Sequence, residues 1–156
     1  ATIRGLYQGR LIFTIEEAWR GHPQGALIAY PLEDSGVEAP RTQVLFAPNA
    51  RQSIEGVEVT RDAVLVAGYE NVRGRLLRFA LNAGAWTRTS IALPENGSIN
   101  FAGASPTGSE AFAVFEDYIT PDTLYALENR ATTVRPVRSL PALFDTSQVV
   151  AEQFEA

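Results

Sequence analysis

The chain of 156 residues contains no cysteine. That excludes a disulfide framework and a thiolate metal site, so packing alone must hold the fold. Lysine is absent too, and all 13 basic residues are arginine. This usage reflects either compositional bias or reliance on bidentate arginine–carboxylate pairs between packed units. A single histidine, His22, leaves metal chemistry to carboxylates and carbonyls, and no calcium-loop spacing of acids occurs. No phosphate-binding or dinucleotide fingerprint is present, so neither a metal nor a cofactor is expected. No apolar run approaches the roughly 18 residues that a membrane-crossing helix needs. The opening residues, ATIRGLYQG, lack the basic and then apolar stretches of a secretory signal, and no initiator methionine precedes them. The chain is therefore expected to be processed or excised from something longer, and its composition leaves the compartment open. A net charge of −5, with acids and arginines interspersed, argues against nucleic acid or an anionic membrane as partner.

What is present is a core-forming composition, 46% hydrophobic and 20% charged, sufficient for a folded domain of this length. It is arranged in a unit that recurs three times. Each copy holds an apolar strand ending in acid, a polar turn and a second apolar strand. The copies are Arg10 to Glu17 with Gly25 to Leu32, Ala63 to Glu70 with Gly74 to Leu81, and Glu110 to Asp117 with Asp122 to Glu128. Glu16, Glu70 and Glu116 are separated by 54 and 46 residues, and Leu27, Leu76 and Leu124 by 49 and 48. Self-similarity of strands at a period of about 40 to 50 residues is the mark of β-propeller blades.

Further strands are expected at Ile3 to Tyr7, Thr42 to Pro48, Ile54 to Thr60, Trp86 to Leu93, Ser98 to Ser105 and Thr132 to Leu140. The total is about twelve, four antiparallel strands to each blade. The innermost strands would be those at Ile3, Ile54 and Ser98. Turn residues fall between strands at Asn71 to Gly74, Asn82 to Gly84, Asn96-Gly97, Pro106 to Gly108 and Pro121-Asp122. No clean helical period appears in the first 140 positions. The fold class is thus all-β, a partial propeller of three blades at about 1–50, 51–94 and 95–140. Residues 141–156 stand apart, and SQVVAEQFEA fits either a helix or an extended strand.

Few residues here could carry chemistry. A hydrolytic serine needs a base beside it, usually histidine. His22 lies in the turn RGHPQG, and no histidine follows it to complete the Ser–acid–His order of an α/β-hydrolase. The nearest approach to a nucleophile elbow is Gly103 to Gly108, where Ser105 reads as a turn residue. Glu16, Glu17, Glu70, Glu116 and Asp117 end the same strand of successive blades. They could form an acidic rim around one mouth and serve a glycosidase. The reading preferred here is that they solvate hairpins and block edge pairing, since a catalytic pair must break repeat symmetry. Trp19 and Trp86 read as blade-packing aromatics rather than ligand platforms. No catalytic residue is assigned.

Four stretches carry a family resemblance: Trp19 with Gly25 to Tyr30, Leu45 to Leu76, FEDYITPDTLY (Phe115 to Tyr125) and LFDTSQVVAEQFEA (Leu143 to Ala156). In them the chain resembles the last three propeller blades of the prolyl oligopeptidase family of serine peptidases. The resemblance covers essentially the whole chain. It implies a parent enzyme that cleaves short peptides after proline, with its Ser, Asp and His in an α/β-hydrolase domain following residue 156. The propeller would lie over that active site and exclude large folded substrates, and residues 141–156 would be the crossover toward it. The alternative is a stand-alone binding module that completes its ring by self-association. In either case a three-blade piece leaves two apolar faces without a neighbour. They would draw on Leu11, Phe13, Leu27 and Ile28 at one end and Phe112, Val114, Leu124 and Tyr125 at the other, and would favour a homo-oligomer or docking onto the parent.

Overall fold

Alternating apolar residues and two-residue turns build three meandering sheets of four antiparallel strands each. The computed structural model describes residues 1–94, 96–142, 145 and 149. The first sheet holds β1 (Thr2–Tyr7), β2 (Arg10–Thr14), β3 (Leu27–Pro31) and β4 (Gln43–Phe46). The second holds β5 (Gln52–Val59), β6 (Val64–Glu70), β7 (Arg73–Asn82) and β8 (Ala85–Ile91). The third holds β9 (Ser98–Ala104), β10 (Ala111–Glu116), β11 (Thr123–Glu128) and β12 (Thr133–Ser139). Within each sheet the strands pair in chain order. Among the described residues the only helical turn is Leu32–Asp34. The expected strands are therefore present, three sheets in blade-like succession with no closed ring. Most of the 141–156 segment, including the helix-or-strand question there, lies outside the described residues.

The tight hairpins are set by left-handed backbone at both turn positions. Gln8-Gly9, Asn71-Val72 and Ala83-Gly84 all have positive φ, the two-residue geometry whose twist matches that of the flanking strands. Inner strands β1, β5 and β9 lie side by side in that order, so the sheets stack first to second to third. Each inner strand carries a bulge, skipping Arg4, Glu55 or Ala102 in its pairing with the next strand. A glycine follows every time, at Gly5, Gly56 and Gly103. At Gly5 a side chain would sit 3.0 Å from Val59 of β5, and at Gly56 it would sit 3.2 Å from Phe101 of β9. The bulge glycine of one sheet thus admits the inner strand of the next. At Gly103 nothing among the described residues lies within 4 Å of the corresponding position.

Two cores fill the spaces between sheets. Ile12, Leu27, Ala29, Val64, Val66 and Phe79 pack between the first and second. Leu65, Leu76, Ile99, Ala113 and Phe115 pack between the second and third. Gly74 of β7 donates its amide to the Gly97 carbonyl at 3.0 Å, joining the second sheet to the segment that enters the third.

The expected open faces need correction at three residues, Leu27, Ile28 and Tyr125. Leu27 and Tyr125 point into the inter-sheet cores, because neighbours along a strand face opposite sides and Ile28 and Leu124 take the outer ones. Ile28 is itself fully buried, since the β2–β3 connection folds back over it and brings Trp19 edge-on to Phe13 at a centroid distance of 6.0 Å. What stays open on the outer face of the first sheet is Ile3, 68% exposed, and Leu6, 59% exposed. On the third sheet it is chiefly Phe112, 38% exposed.

Candidate functional site

The strand connections gather at two ends of the stack. At one end the β1–β2, β5–β6 and β9–β10 turns are stitched together across sheets. The Tyr7 hydroxyl donates to the Asp62 carbonyl at 3.0 Å, the Arg61 amide donates to the Gly108 carbonyl at 2.9 Å, and Ser109 bonds the Asp62 carboxylate. Ser105 belongs to this lattice, where its amide donates to the Glu110 carbonyl at 2.8 Å and its carbonyl accepts from Gly108 at 3.3 Å. Its part is that of a turn residue.

His22 is far from Ser105 in the architecture. It sits in the loop over the outer face of the first sheet, and its Nε2 pairs with the Thr42 hydroxyl at 3.3 Å. The second sheet stands between the two residues. Trp19 closes that same loop through paired backbone bonds with His22 at 3.0 and 2.8 Å. Trp86 packs on the first inter-sheet core, 5.5 Å from the Tyr7 ring, and donates from Nε1 to Gln43 at 2.8 Å. Both tryptophans act in packing.

The acids that end β2, β6 and β10 lie toward the other end, and Glu16, Glu70 and Asp117 among them are engaged locally. Glu16 accepts from the Thr2 hydroxyl at 2.7 Å. Asp117 caps its own turn by accepting the amides of Ile119, at 2.8 Å, and Thr120. Glu70 accepts from Gln52 Nε2 at 2.9 Å and Arg75 Nε at 3.3 Å, and these bonds hold its carboxyl below the ordinary range. Among the described residues no three such groups converge to hold a metal ion. The repeat places the acids at equivalent strand ends, one sheet apart.

Two clefts open on this part of the stack, the larger, of about 380 Å³, between the second and third sheets along Gly74, Leu76, Ile91 and Ile99. The other, of about 200 Å³, opens between the first and second sheets, lined by Phe46, Gln52, Val66, Glu70, Arg75, Leu77, Arg88 and Ser90 among others. Register explains its composition. Leu77 pairs with Ser90 and Phe79 with Arg88, so Ser90 and Arg88 of β8 share the face whose buried residues meet the first sheet. Arg88 lies over the Phe46 ring, with its guanidinium carbon 5.3 Å from the centroid. Composition gave no signal for this cleft, since it depends on which β8 residues face the first sheet.

A family model describing the prolyl oligopeptidase N-terminal β-propeller domain matches residues 8–139. The chain belongs to that family. An uncharacterized peptidase of Sinorhizobium fredii is 28% identical across the whole chain, which spans 22% of that protein. An uncharacterized peptidase of Rickettsia prowazekii is 27% identical, again across the whole chain and over 23% of the relative. Among solved structures, a post-proline cleaving enzyme from Rickettsia typhi superposes with a TM-score of 0.76 and 23% identity, covering 92% of this chain and 22% of that one. A structure from a study of two prolyl endopeptidases gives 0.67 and 19%, covering 92% and 20%. These likenesses establish the propeller fold. The chain spans between a fifth and a quarter of the length of the proteins it matches.

Proposed function

We propose that this chain is the non-catalytic propeller portion of a prolyl oligopeptidase-like serine peptidase that cleaves short peptides after proline. Blades at about 1–50, 51–94 and 95–140 would form part of a ring over a separate α/β-hydrolase domain that supplies Ser, Asp and His. Residues 141–156 would lead toward that domain. The ring would admit short peptides and turn away folded ones. The observation that carries this reading is the family match across 8–139, joined to a chain whose only histidine is tied to Thr42, away from any candidate nucleophile.

Gating is tested in the intact parent protein with proline-containing peptides of increasing length, ending in a folded protein with an exposed prolyl bond. Hydrolysis should fall steeply with size. Equal rates on short peptides and the folded substrate would refute gating. The 156-residue chain alone should hydrolyse none of them, and turnover that disappears in Ser105→Ala would overturn its non-catalytic assignment.

A further inference from the structure

We infer that Asn96 is a site of spontaneous covalent modification, losing its side-chain amide to attack by the Gly97 nitrogen, and that the isoaspartate formed loosens the contact between the second and third sheets. The inference is independent of the peptidase reading.

Three observations carry it. The first is the sequence of the turn. Of the asparagines in the chain, Asn96 alone precedes a glycine, which has no side chain to crowd the attacking nitrogen. Asn49, Asn71, Asn82, Asn100 and Asn129 precede alanine, valine, alanine, phenylalanine and arginine. The second is access. Asn96 is exposed in the connection between β8 and β9. By contrast, Asn49 Oδ1 accepts the Arg51 amide at 2.9 Å, and Asn129 Nδ2 donates to the Thr133 hydroxyl at 2.8 Å. The third is that the fold retains the pair. A Cβ at residue 97 would stand 2.5 Å from both the Phe115 ring and the Glu116 carbonyl oxygen, so this position requires glycine. Asn96 holds a φ of 70°, a conformation that asparagine tolerates better than most residues. The reactive dipeptide is thus a by-product of how closely the entry to the third sheet packs on β10.

The chemistry needs only water and hydroxide. Hydroxide takes the proton of the Gly97 amide, and its nitrogen forms a bond to Asn96 Cγ. The Cγ–Nδ2 bond breaks, and ammonia leaves with a proton returned by water. Water then opens the resulting succinimide ring at either carbonyl, giving aspartate or isoaspartate, so the net change is one water consumed and one ammonia released. Isoaspartate routes the main chain through the former side chain and adds one carbon ahead of Gly97. The Gly97 carbonyl accepts the Gly74 amide at 3.0 Å, the bond that ties the second sheet to the third. With Gly97 wedged against Phe115 and Glu116, the longer chain cannot be absorbed there without moving that carbonyl.

The full 156-residue chain is held folded at mildly alkaline pH, and peptide mapping by mass spectrometry follows every asparagine, with isoaspartate separated from aspartate by chromatography. Asn96 is expected to convert ahead of all the others, to a mixture of the two acids. Earlier conversion at another asparagine, or persistence of Asn96 in the folded chain while the urea-unfolded chain reacts, would overturn the assignment. Loosening is read from hydrogen exchange at the Gly74 amide. It should quicken at least about fivefold in the isoaspartate fraction, the factor that one lost backbone hydrogen bond gives. Asn96→Asp carries the new charge on an unaltered main chain and should exchange at the parent rate. Asn96→Gly keeps the left-handed turn, lacks the amide, and should show no change at Gly74 over the same incubation. Unchanged exchange in the isoaspartate fraction, equal quickening in Asn96→Asp, or a drift in Asn96→Gly would each refute the loosening. If a variant fails to fold, the separated fractions of the incubated parent chain decide alone.

Discussion

Gly74→Ala tests how closely the second and third sheets approach. In a strand with room for a methyl group this exchange would stabilise the protein by about 0.4–1 kcal/mol, because alanine restricts the unfolded chain. Here the new Cβ would stand 2.4 Å from the Gly97 carbonyl oxygen and 3.0 Å from Ile99 Cγ1. Ile99 could yield, but the carbonyl is backbone and is held by the Gly74 amide itself at 3.0 Å. The strand must move, losing that bond at a cost of about 1 kcal/mol and straining a packed core by about 1–3 kcal/mol. Set against the gain from alanine, the expected net loss is about 1–3.5 kcal/mol, equivalent to a fall in the thermal midpoint of about 3–14 °C for a chain of this size. Urea and thermal unfolding measure the loss, and hydrogen exchange at residue 74 should show the amide freed. A midpoint equal to or above that of the parent would refute the close approach.

Three further outcomes are expected. Val72 holds a φ of 65° while 73% exposed, an unfavourable position for a β-branched residue, so Val72→Gly should raise stability by about 0.5–1 kcal/mol; a fall would show that the side chain has a packing role. Asp34 is buried and accepts from the Arg41 backbone amide at 2.7 Å and from its guanidinium at 2.6 and 3.0 Å, which holds its carboxyl below the ordinary aspartate value. The stability this gives is complete at neutral pH and is lost as pH falls below about 4, so Asp34→Asn should be less stable at pH 7 and should show a shallower acid decline in urea midpoints; identical pH profiles would count against the pair. Open faces at Ile3 and Leu6 and at Phe112 should make the chain self-associate at micromolar concentration, and Leu6→Asp with Phe112→Asp should return it to 17.0 kDa in sedimentation; a parent chain that is already monomeric would contradict this.

Strand positions were legible because the repeat writes the same apolar segments three times, and each sheet closes locally in chain order. The face a residue takes was less so. Leu27 with Ile28, and Leu124 with Tyr125, are adjacent apolar pairs in which only register decides which member points inward. The repeat also held a clearer mark. Ile3-Arg4-Gly5, Ile54-Glu55-Gly56 and Phe101-Ala102-Gly103 each place a bulge and its glycine on an inner strand, at steps of 51 and 47 residues. Sequence reasoning can find this by aligning the inner strands rather than their acidic neighbours. The acids were well placed as strand ends, and local bonds explain Glu16, Glu70 and Asp117 without catalysis. The cleft at Arg88 could not be read in advance, since it needs Phe46 of one sheet to meet Arg88 of another, and no spacing encodes that meeting. Fold-back of the loop around Trp19 and His22 is likewise a tertiary event.

The central claim is that these blades serve an enzyme that cuts after proline. The most direct measurement is release of a fluorophore from a blocked Gly-Pro conjugate by the intact parent protein, with Gly-Ala and Gly-Leu conjugates alongside. The account predicts turnover of the prolyl conjugate in large excess over the other two. Comparable turnover of all three, or none of the prolyl conjugate, would contradict it.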